Sequence, residues 1–270
     1  MTKTALITGA SSRIGRGIAH KFGEEGWEVT LVARRKENLE NVANEVKEAG
    51  GKVHIFATDL TVEGNPDKAV KYAIEKMGKI GTLVNNAGMG RFEMVPDIKD
   101  ESYQEQFQLN VWACMAMVRS AVPHFKKNGG GQIVNIGSIV GYLGISKGSI
   151  YSSTKWALRG LNESWREELY PDNIKVCYIG PGFVLTETLK NRAKNGMLDA
   201  KKIAMNTPVG RWANVEDITR VIKFLVEEKS SYITGVIMPI DGGISIGLDL
   251  GENVGQINSE FSKQMKEIKK

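Results

Sequence analysis

Short apolar runs alternate along most of the chain with longer stretches of helical spacing, and this alternation restricts the possible folds most strongly. Runs such as Thr4–Thr8 and Thr82–Asn85 are typical of strands that are buried on both faces. Strand and helix in regular succession favour parallel strands joined by right-handed crossovers. The sequence therefore predicts an α/β fold, a doubly wound parallel β-sheet with helices on both faces.

The predicted elements leave two irregular regions. Strands are predicted over 4–8, 29–33, 53–56, 82–85, 132–136, 174–179 and 235–238, and helices over 13–25, 36–49, 66–77, 103–127, 150–169 and 215–227. With no repeat and no linker, residues 1–250 are expected to form one domain, in which the irregular stretch 183–214 is a lid over a binding site. In the tail, 251–270, Ile257, Phe261 and Met265 recur at four-residue spacing and predict a short amphipathic helix, the alternative being a frayed end.

Composition argues against several kinds of protein. The chain has 270 residues, 41% of them hydrophobic and 25% charged, as in a soluble globular protein. Its net charge of +5 is spread along helix faces and forms no basic stripe, so no nucleic-acid partner is expected. The two cysteines form no framework, the histidines lack metal-ligand spacing, and no apolar run has the length of a membrane span. A cytoplasmic protein without a metal or a membrane anchor is expected.

A glycine-rich turn follows the first predicted strand. Gly9, Gly15 and Gly17 bracket it, and the first predicted helix begins within it. Between a strand and a helix, such a turn lets backbone N–H groups approach a pyrophosphate, which the helix N-terminus also favours. The turn therefore predicts a dinucleotide site. The residues expected to contact the cofactor here are Gly9, Ser11, Ser12, Arg13, Ile14 and Gly15.

The end of the second predicted strand indicates which dinucleotide is bound. Proteins that use NAD place an acidic side chain there, against the ribose 2′-hydroxyl. Here the strand ends in Ala33 and is followed by Arg34 and Arg35, whose guanidinium groups suit a 2′-phosphate in charge and geometry. Arg13 adds a positive charge inside the turn. The sequence therefore favours NADP(H) over NAD, the alternative being that these arginines are ordinary solvated residues.

Tyr151 and Lys155 stand one helical turn apart on one face of a predicted helix. A neighbouring ammonium lowers the pKa of a phenol from about 10 towards working pH, so that the phenol can exchange a proton with a carbonyl oxygen. Tyr72 and Lys76 have the same spacing on an ordinary amphipathic helix, so spacing alone does not decide. Ser138 distinguishes the pairs, because it ends the fifth strand, where ligands bind in such sheets. Its alternative role is a turn cap.

Taken together, these motifs resemble those of the short-chain dehydrogenase/reductase family, in its single-domain form with a Rossmann-like fold. The resemblance covers about residues 3 to 243. It rests on the Thr8–Gly17 turn, Asp59 and Leu60, Asn85 to Gly88, Asn110, Ser138, Tyr151 with Lys155, Pro181 and Gly182 with Thr186, and Asp241 to Gly243. It implies an oxidoreductase that interconverts a ketone and a secondary alcohol by hydride transfer, assembled as a homotetramer or homodimer.

The resemblance also implies a role for each matching residue. Ser138 would orient the substrate carbonyl, and Tyr151 would act as acid and base. Asn110 would hold a water that links Lys155 to solvent, and Lys155 would also bond the nicotinamide ribose. The adenosine side of the cofactor would contact Asp59, Leu60, Asn86, Ala87 and Gly88. The nicotinamide carboxamide would contact Pro181, Gly182, Val184 and Thr186.

One residue departs from the family pattern, since Arg13 replaces the middle glycine of the turn. Its side chain must point outward and is expected to cover the adenosine phosphate, which supports NADP(H). The alternative is that it distorts the turn and weakens binding.

The sequence does not identify the substrate. An apolar pocket is expected from Met89, Ile139, Leu143, Ile145, Phe183, Leu189 and Met197. Such a pocket suits a bulky apolar ketone or alcohol, such as a hydroxysteroid or bile acid. It also suits a 3-oxoacyl thioester, and 208–211 with Glu216 and Asp217 resembles 3-oxoacyl-thioester reductases. A non-catalytic NADP(H)-sensing regulator would be expected to lack Tyr151 or Lys155, and both are present.

Overall fold

The computed structural model describes residues 2–227, 232–245 and 259–269. Within them, parallel strands form a seven-stranded sheet in the order β3-β2-β1-β4-β5-β6-β7. The strands are β1 (Thr4–Thr8), β2 (Glu28–Ala33), β3 (Lys52–Ala57), β4 (Thr82–Asn85), β5 (Gly131–Ile136), β6 (Ile174–Pro181) and β7 (Ile237–Ile240). The predicted doubly wound parallel sheet is confirmed, and β1 and β4 have the predicted bounds.

Helices connect the strands and cover both faces of the sheet. They are α1 (Arg13–Glu24), α2 (Lys36–Glu48), α3 (Asn65–Met77), α4 (Asp100–Phe107), α5 (Ala113–Lys127), α6 (Ser149–Leu169), α7 (Glu187–Lys194), α8 (Ala200–Met205), α9 (Val215–Val226) and α10 (Ser259–Lys269). One core cluster joins the sheet to α1, α2 and α9. A second joins it to α3, α5 and α6. No helix in the described part of the chain is long and apolar enough to cross a membrane.

The strand order determines which strand ends form the expected binding edge of the sheet. Every residue of β1 and β4 is buried, as expected for central strands covered on both faces. These two strands pair with each other, although β2 and β3 lie between them in the chain. The sheet therefore changes its direction of winding between β1 and β4, and ligands bind to doubly wound sheets at the carboxyl ends of the strands beside such a point.

The predicted helix over 103–127 is wrong in one respect. It is divided by a π-helical turn, Gln108–Trp112, which separates α4 from α5 and contains Asn110. A π turn closes from residue i to i+5, as Ala113 N does on the Gln108 carbonyl, and the spacing of apolar residues does not reveal that extra residue.

The stretch 183–214 and the tail pack against each other. The stretch contains the short helices α7 and α8, which the sequence did not predict. The predicted tail helix is confirmed for Phe261 and Met265 by α10, while Ile257 lies outside the described residues. Phe261 and Ile268 of α10 form a third apolar cluster with Trp212, Ala200 and Ala204. The division into a domain over 1–250 and a tail over 251–270 stays a prediction.

Candidate active site

The glycine turn between β1 and α1 has the shape that a pyrophosphate requires. Gly9 has a φ of 63°, in the left-handed region. A Cβ on Gly15 would lie 2.4 Å from the Gly9 carbonyl oxygen, so only a glycine allows this close approach. Asn86, which follows β4, holds the turn by donating from Nδ2 to the carbonyls of Thr8 and Gly9 at 3.0 and 3.1 Å. The Thr8 hydroxyl accepts in return from Ala87 N at 3.0 Å.

The N-terminus of α1 is available to an anion. The side chain of the N-cap residue, Ser12, makes no capping hydrogen bond, so the first N–H groups of the helix keep their capacity to donate. Ser11 lies in the same turn and Ile14 and Gly15 lie in the first turn of α1, at the carboxyl edge of β1. Uncapped donors, the helix dipole and the glycine cradle fit the pyrophosphate of a dinucleotide.

Arg13 takes the left-handed conformation that a glycine normally takes, with a φ of 54°. Its guanidinium group donates a hydrogen bond to the Thr188 hydroxyl on α7. The side chain therefore points out of the turn, as expected, and reaches across to the stretch predicted to be the lid. The expected contact with the adenosine phosphate stays a prediction.

Arg34 and Arg35 follow β2 at the same edge of the sheet. Arg34 is largely exposed, and its Nη1 lies 3.7 Å from Oδ2 of Asp59. Oδ1 of Asp59 accepts from the backbone N–H and the hydroxyl of Thr61, so the carboxylate is oriented by its own loop. Arg35 is the N-cap residue of α2. Because an exposed ion pair is worth about 1 kcal/mol or less, Arg34 can exchange Asp59 for a phosphate. Leu60 is buried beside this loop.

Tyr151, Ser138 and Lys155 lie together at the end of β5. The ammonium of Lys155 is 5.7 Å from the centroid of the Tyr151 ring. Lys76 lies 5.6 Å from the Tyr72 ring, so the spacing produces the same geometry in both helices. What separates the pairs is their surroundings: Lys155 is buried and donates to the Ile136 carbonyl at 3.0 Å, whereas Lys76 is exposed.

Burial sets the protonation of this cluster. It raises the pKa of Tyr151, and a hydrogen bond with Ser138 and the charge of Arg13 work in the opposite direction without cancelling it. Burial lowers the pKa of Lys155 to about 8. The expectation that the ammonium would bring the phenol pKa below 10 is therefore wrong, because loss of solvent disfavours both charged forms. Tyr151 is accordingly protonated at neutral pH.

Ser138 is a turn cap and also contacts Tyr151, while its role in orienting a substrate carbonyl stays a prediction. Its hydroxyl accepts from Val140 N at 3.4 Å, which caps the short turn after β5, and it also hydrogen-bonds to Tyr151. The fully buried Tyr178 positions it, because the Tyr178 phenol oxygen lies 3.2 Å from Ser138 N and 3.4 Å from the Lys155 carbonyl. Nothing in the sequence marks Tyr178 for this position, since it looks like any apolar residue of a strand.

Asn110 lies in the π turn and ties three segments together. Its side-chain amide pairs with both backbone groups of Met89 at 2.8 Å, and donates to the Thr154 hydroxyl on α6 at 3.0 Å. A Cβ on Gly88 would lie 3.2 Å from Asn110 Oδ1 and 3.6 Å from Lys155 Nζ. The structure thus brings Asn110 next to Lys155 as predicted. Its role in holding a water stays a prediction.

The residues predicted for the nicotinamide side follow β6. Pro181 ends that strand, and a Cβ on Gly182 would lie 2.8 Å from Asp241 Cα, so the two segments touch there. Val184 is buried and pairs with Ala213, while Thr186 is the N-cap residue of α7. These residues therefore lead from the sheet edge directly into α7.

Two residues at the mouth of the site were not predicted. Phe92 contacts the Tyr151 ring edge-on, with centroids 5.7 Å apart. Arg192 of α7 lies over the Phe92 ring, 4.8 Å from its centroid. In contrast, Phe183 and Leu189, which were predicted to line the pocket, pack into the apolar cluster around Trp212.

No group of His, Cys, Asp or Glu in the described residues is arranged to hold a metal ion. The site consists of an anion cradle, arginines and a Tyr–Ser–Lys cluster on one sheet edge, in which the lysine is buried and the tyrosine and serine are partly buried. That arrangement suits proton exchange at an oxygen beside a bound dinucleotide.

Comparison with known proteins agrees with this chemistry. The family model for short chain dehydrogenases matches residues 3–196. A 3-oxoacyl-(acyl-carrier-protein) reductase from Thermotoga maritima is 33% identical over 247 residues, which cover 90% of this chain and 98% of that protein. The L-2,3-butanediol dehydrogenase of Corynebacterium glutamicum is 32% identical over 255 residues, 90% of this chain and 99% of the relative. Among solved structures, L-sorbose reductase from Gluconobacter frateurii, complexed with NADPH and L-sorbose, has a TM-score of 0.87 and 33% identity, and the match covers 92% of this chain and 98% of that one.

Proposed function

The chain belongs to the short-chain dehydrogenase family, and we propose that it is an NADP(H)-dependent oxidoreductase that interconverts a ketone and a secondary alcohol. The observation that carries this proposal is the cluster of partly buried Tyr151 and Ser138 with the buried Lys155 beside the glycine turn. A non-catalytic regulator would have no need of a phenol and a buried ammonium at the same sheet edge.

Each member of the cluster has a distinct task. A bound cofactor supplies or accepts the hydride. The Ser138 hydroxyl donates to the substrate oxygen and orients it. Tyr151, protonated at neutral pH because burial raises its pKa, gives its proton to that oxygen in reduction and takes it back in oxidation. The charge of Lys155 stabilises the phenolate that remains.

The proposal for NADP(H) rests on the three arginines that flank the cofactor groove. Arg34 and Arg35 follow β2, where no acidic side chain is present to accept from a ribose hydroxyl. The only carboxylate of the described residues that pairs with Arg34 is that of Asp59, and this exposed contact is weak. L-sorbose reductase, a structural neighbour, is complexed with NADPH.

Two substrate classes fit, a hydroxysteroid or bile acid and a 3-oxoacyl thioester. The named relatives that are 3-oxoacyl-(acyl-carrier-protein) reductases favour the thioester. The apolar side chains predicted to line the pocket, including Ile139 and Ile145, suit either class. A cytoplasmic homotetramer or homodimer, with a small-molecule substrate and no nucleic-acid partner, belongs to the same proposal.

Replacement of Tyr151 by Phe tests the proposal, because it keeps the ring and removes the proton donor. General acid–base catalysis contributes about 10²–10⁴-fold, so kcat for ketone reduction should fall by at least the lower figure while NADPH binding is unchanged. Tyr72→Phe is a matched control, since Lys76 lies over Tyr72 in the same geometry, and it should leave kcat unaltered. Near-normal turnover of Tyr151→Phe, measured by NADPH absorbance, would refute the assignment.

A further inference from the structure

The helix α7 places Arg192 at the mouth of the site. The guanidinium carbon of Arg192 lies 4.8 Å from the centroid of the Phe92 ring, and that ring contacts Tyr151 edge-on. A single aromatic ring thus separates Arg192 from the proposed acid/base. Phe92 is 36% exposed and Arg192 is partly exposed, so both are accessible from solvent beside Tyr151.

Within the described residues, the positive charge around Arg192 has no counterion. Arg192, Arg35 and Arg13 lie close enough for the charges of the first two to lower the pKa of Arg13, in addition to the larger effect of its burial. Among the described carboxylates, none forms an ion pair with any of these three guanidinium groups. By contrast, Arg91, next to Phe92 in the chain, is paired with Glu105. Like charges that converge without neutralisation are unfavourable, and an anion between them relieves the repulsion.

The cofactor accounts for only part of this charge. Arg35 follows β2, at the position proposed for the 2′-phosphate of the cofactor, whereas Arg13 lies in the glycine turn and directs its guanidinium group to Thr188 of α7. Arg192 lies one helical turn after Thr188 on α7, against a ring that contacts Tyr151. The group that it meets is therefore attached to the molecule whose oxygen approaches Tyr151.

We infer that Arg192 is a specificity-determining residue that binds an acidic group of the substrate, and that the substrate is an oxo compound with a carboxylate or phosphate a short chain away from its ketone. Arg suits this task because its planar fork binds such groups through two hydrogen bonds. The inference rests on the proposed function for the position of the ketone. The inference restricts both proposed substrate classes, the hydroxysteroid or bile acid and the 3-oxoacyl thioester, to compounds that carry an acidic group.

Matched pairs of charged and neutral ketones test the inference. The carboxylate pair is 4-oxopentanoate and its methyl ester, and the phosphate pair is acetoacetyl-pantetheine with and without its 4′-phosphate. For at least one pair, the wild-type kcat/KM should favour the anion by about ten- to a hundredfold, as expected from one or two charge-assisted hydrogen bonds. Arg192→Ala should abolish that preference through the KM of the anion, and Arg192→Lys should retain part of it. Arg119→Ala, which removes an exposed arginine paired with Asp67, is the control and should change neither value.

A binding measurement separates this inference from the proposed function. Calorimetric titration of the preferred anion into wild-type protein and Arg192→Ala, with and without NADP⁺, reports recognition without turnover. Loss of binding in Arg192→Ala supports the inference even if no ketone is reduced, an outcome that would refute only the proposed function. Equal use of both members of each pair by the wild type would overturn it. So would an Arg192→Ala variant in which the KM of NADPH rises and that of the anion does not, because Arg192 would then serve the cofactor.

Discussion

Removal of α10 should weaken substrate binding far more than it weakens the fold. Phe261 and Ile268 are 4% and 5% exposed and pack on Trp212, while Gln264 bonds to the backbone N–H and carbonyl of Trp212 at 3.3 and 3.1 Å. Each of the two apolar side chains contributes about 1.5–3 kcal/mol by burial. The conformational entropy lost on ordering the eleven-residue helix opposes these gains, so the net contribution of the docked helix to the stability of the fold is much smaller than their sum.

That small net stability is enough to control the stretch that carries Arg192. Glu267 of α10 pairs with Lys190 of α7 at 3.1 Å, which connects the tail directly to the predicted lid. When only a fraction of the molecules hold a binding-competent lid, the apparent dissociation constant rises by the inverse of that fraction. A loss of about 1.4 kcal/mol in lid stability therefore raises the KM of the ketone about tenfold.

The assay compares steady-state constants of the full chain with those of a chain that ends at Gly251, a residue outside the described part of the structure. The KM of the ketone should rise about tenfold, with kcat and the KM of NADPH changed much less. Phe261→Ala should produce part of this effect, whereas Lys263→Ala, an exposed position on the same helix, should produce none. Unchanged constants after truncation, or an equal rise in the KM of NADPH, would show that α10 has no role as a cover of the site.

Three further predictions concern the cofactor, pH and assembly. Wild-type enzyme should use NADPH with a kcat/KM at least about tenfold above that for NADH, and Ala33→Asp with Arg34→Ala should reverse the order, since the carboxylate repels the phosphate and accepts from the ribose hydroxyl; a wild-type preference for NADH would contradict this. Ketone reduction should decline as the pH rises through about 8, where buried Lys155 loses its charge while Tyr151, with its raised pKa, keeps its proton; a rate profile that is flat through this range would exclude the role of that charge. Light scattering should show a homotetramer or homodimer, because Trp112, at the end of the π turn, and Trp156, on α6, are 50% and 49% exposed; a monomer at micromolar concentration would refute it.

The fold was predictable because its signals are local. β1 and β4 are short apolar runs bounded by turn residues. A strand that is buried on both faces can be predicted from its own sequence, without knowledge of the strands beside it. The two helices of the stretch 183–214 had no such signal. α7 has no buried residue, and α8 is only six residues long. The position of α8 depends on Trp212 and α10, which are distant in the chain, since the Trp212 indole donates to the Ala200 carbonyl.

The active site was predictable in its members but not in its electrostatics. Motif order places Tyr151, Lys155 and Ser138 together, and the structure brings them to one sheet edge. The direction of the Tyr151 pKa depends on how completely the surrounding elements exclude water, which spacing along a helix cannot indicate. Arg192 was missed for a similar reason, because it acquires its significance only from the ring of Phe92, which lies on a loop distant in sequence.

Arg13 has an unfavourable backbone conformation in the turn that is proposed to bind the cofactor. A residue with a side chain is about 1–2 kcal/mol less stable in the left-handed region than in the right-handed one, and a glycine would avoid that cost at this position. The nearby charges of Arg35 and Arg192 also repel the Arg13 guanidinium group, which adds electrostatic repulsion to the backbone strain. Strain of this kind persists only where the surrounding structure holds it, and it concentrates at binding sites. Two independent costs at one residue are difficult to explain in a turn that binds nothing. Both costs are offset if an anionic cofactor lies against the turn and an anionic substrate lies beside α7. The unfavourable conformation and surroundings of Arg13 therefore support the proposal that both ligands are negatively charged.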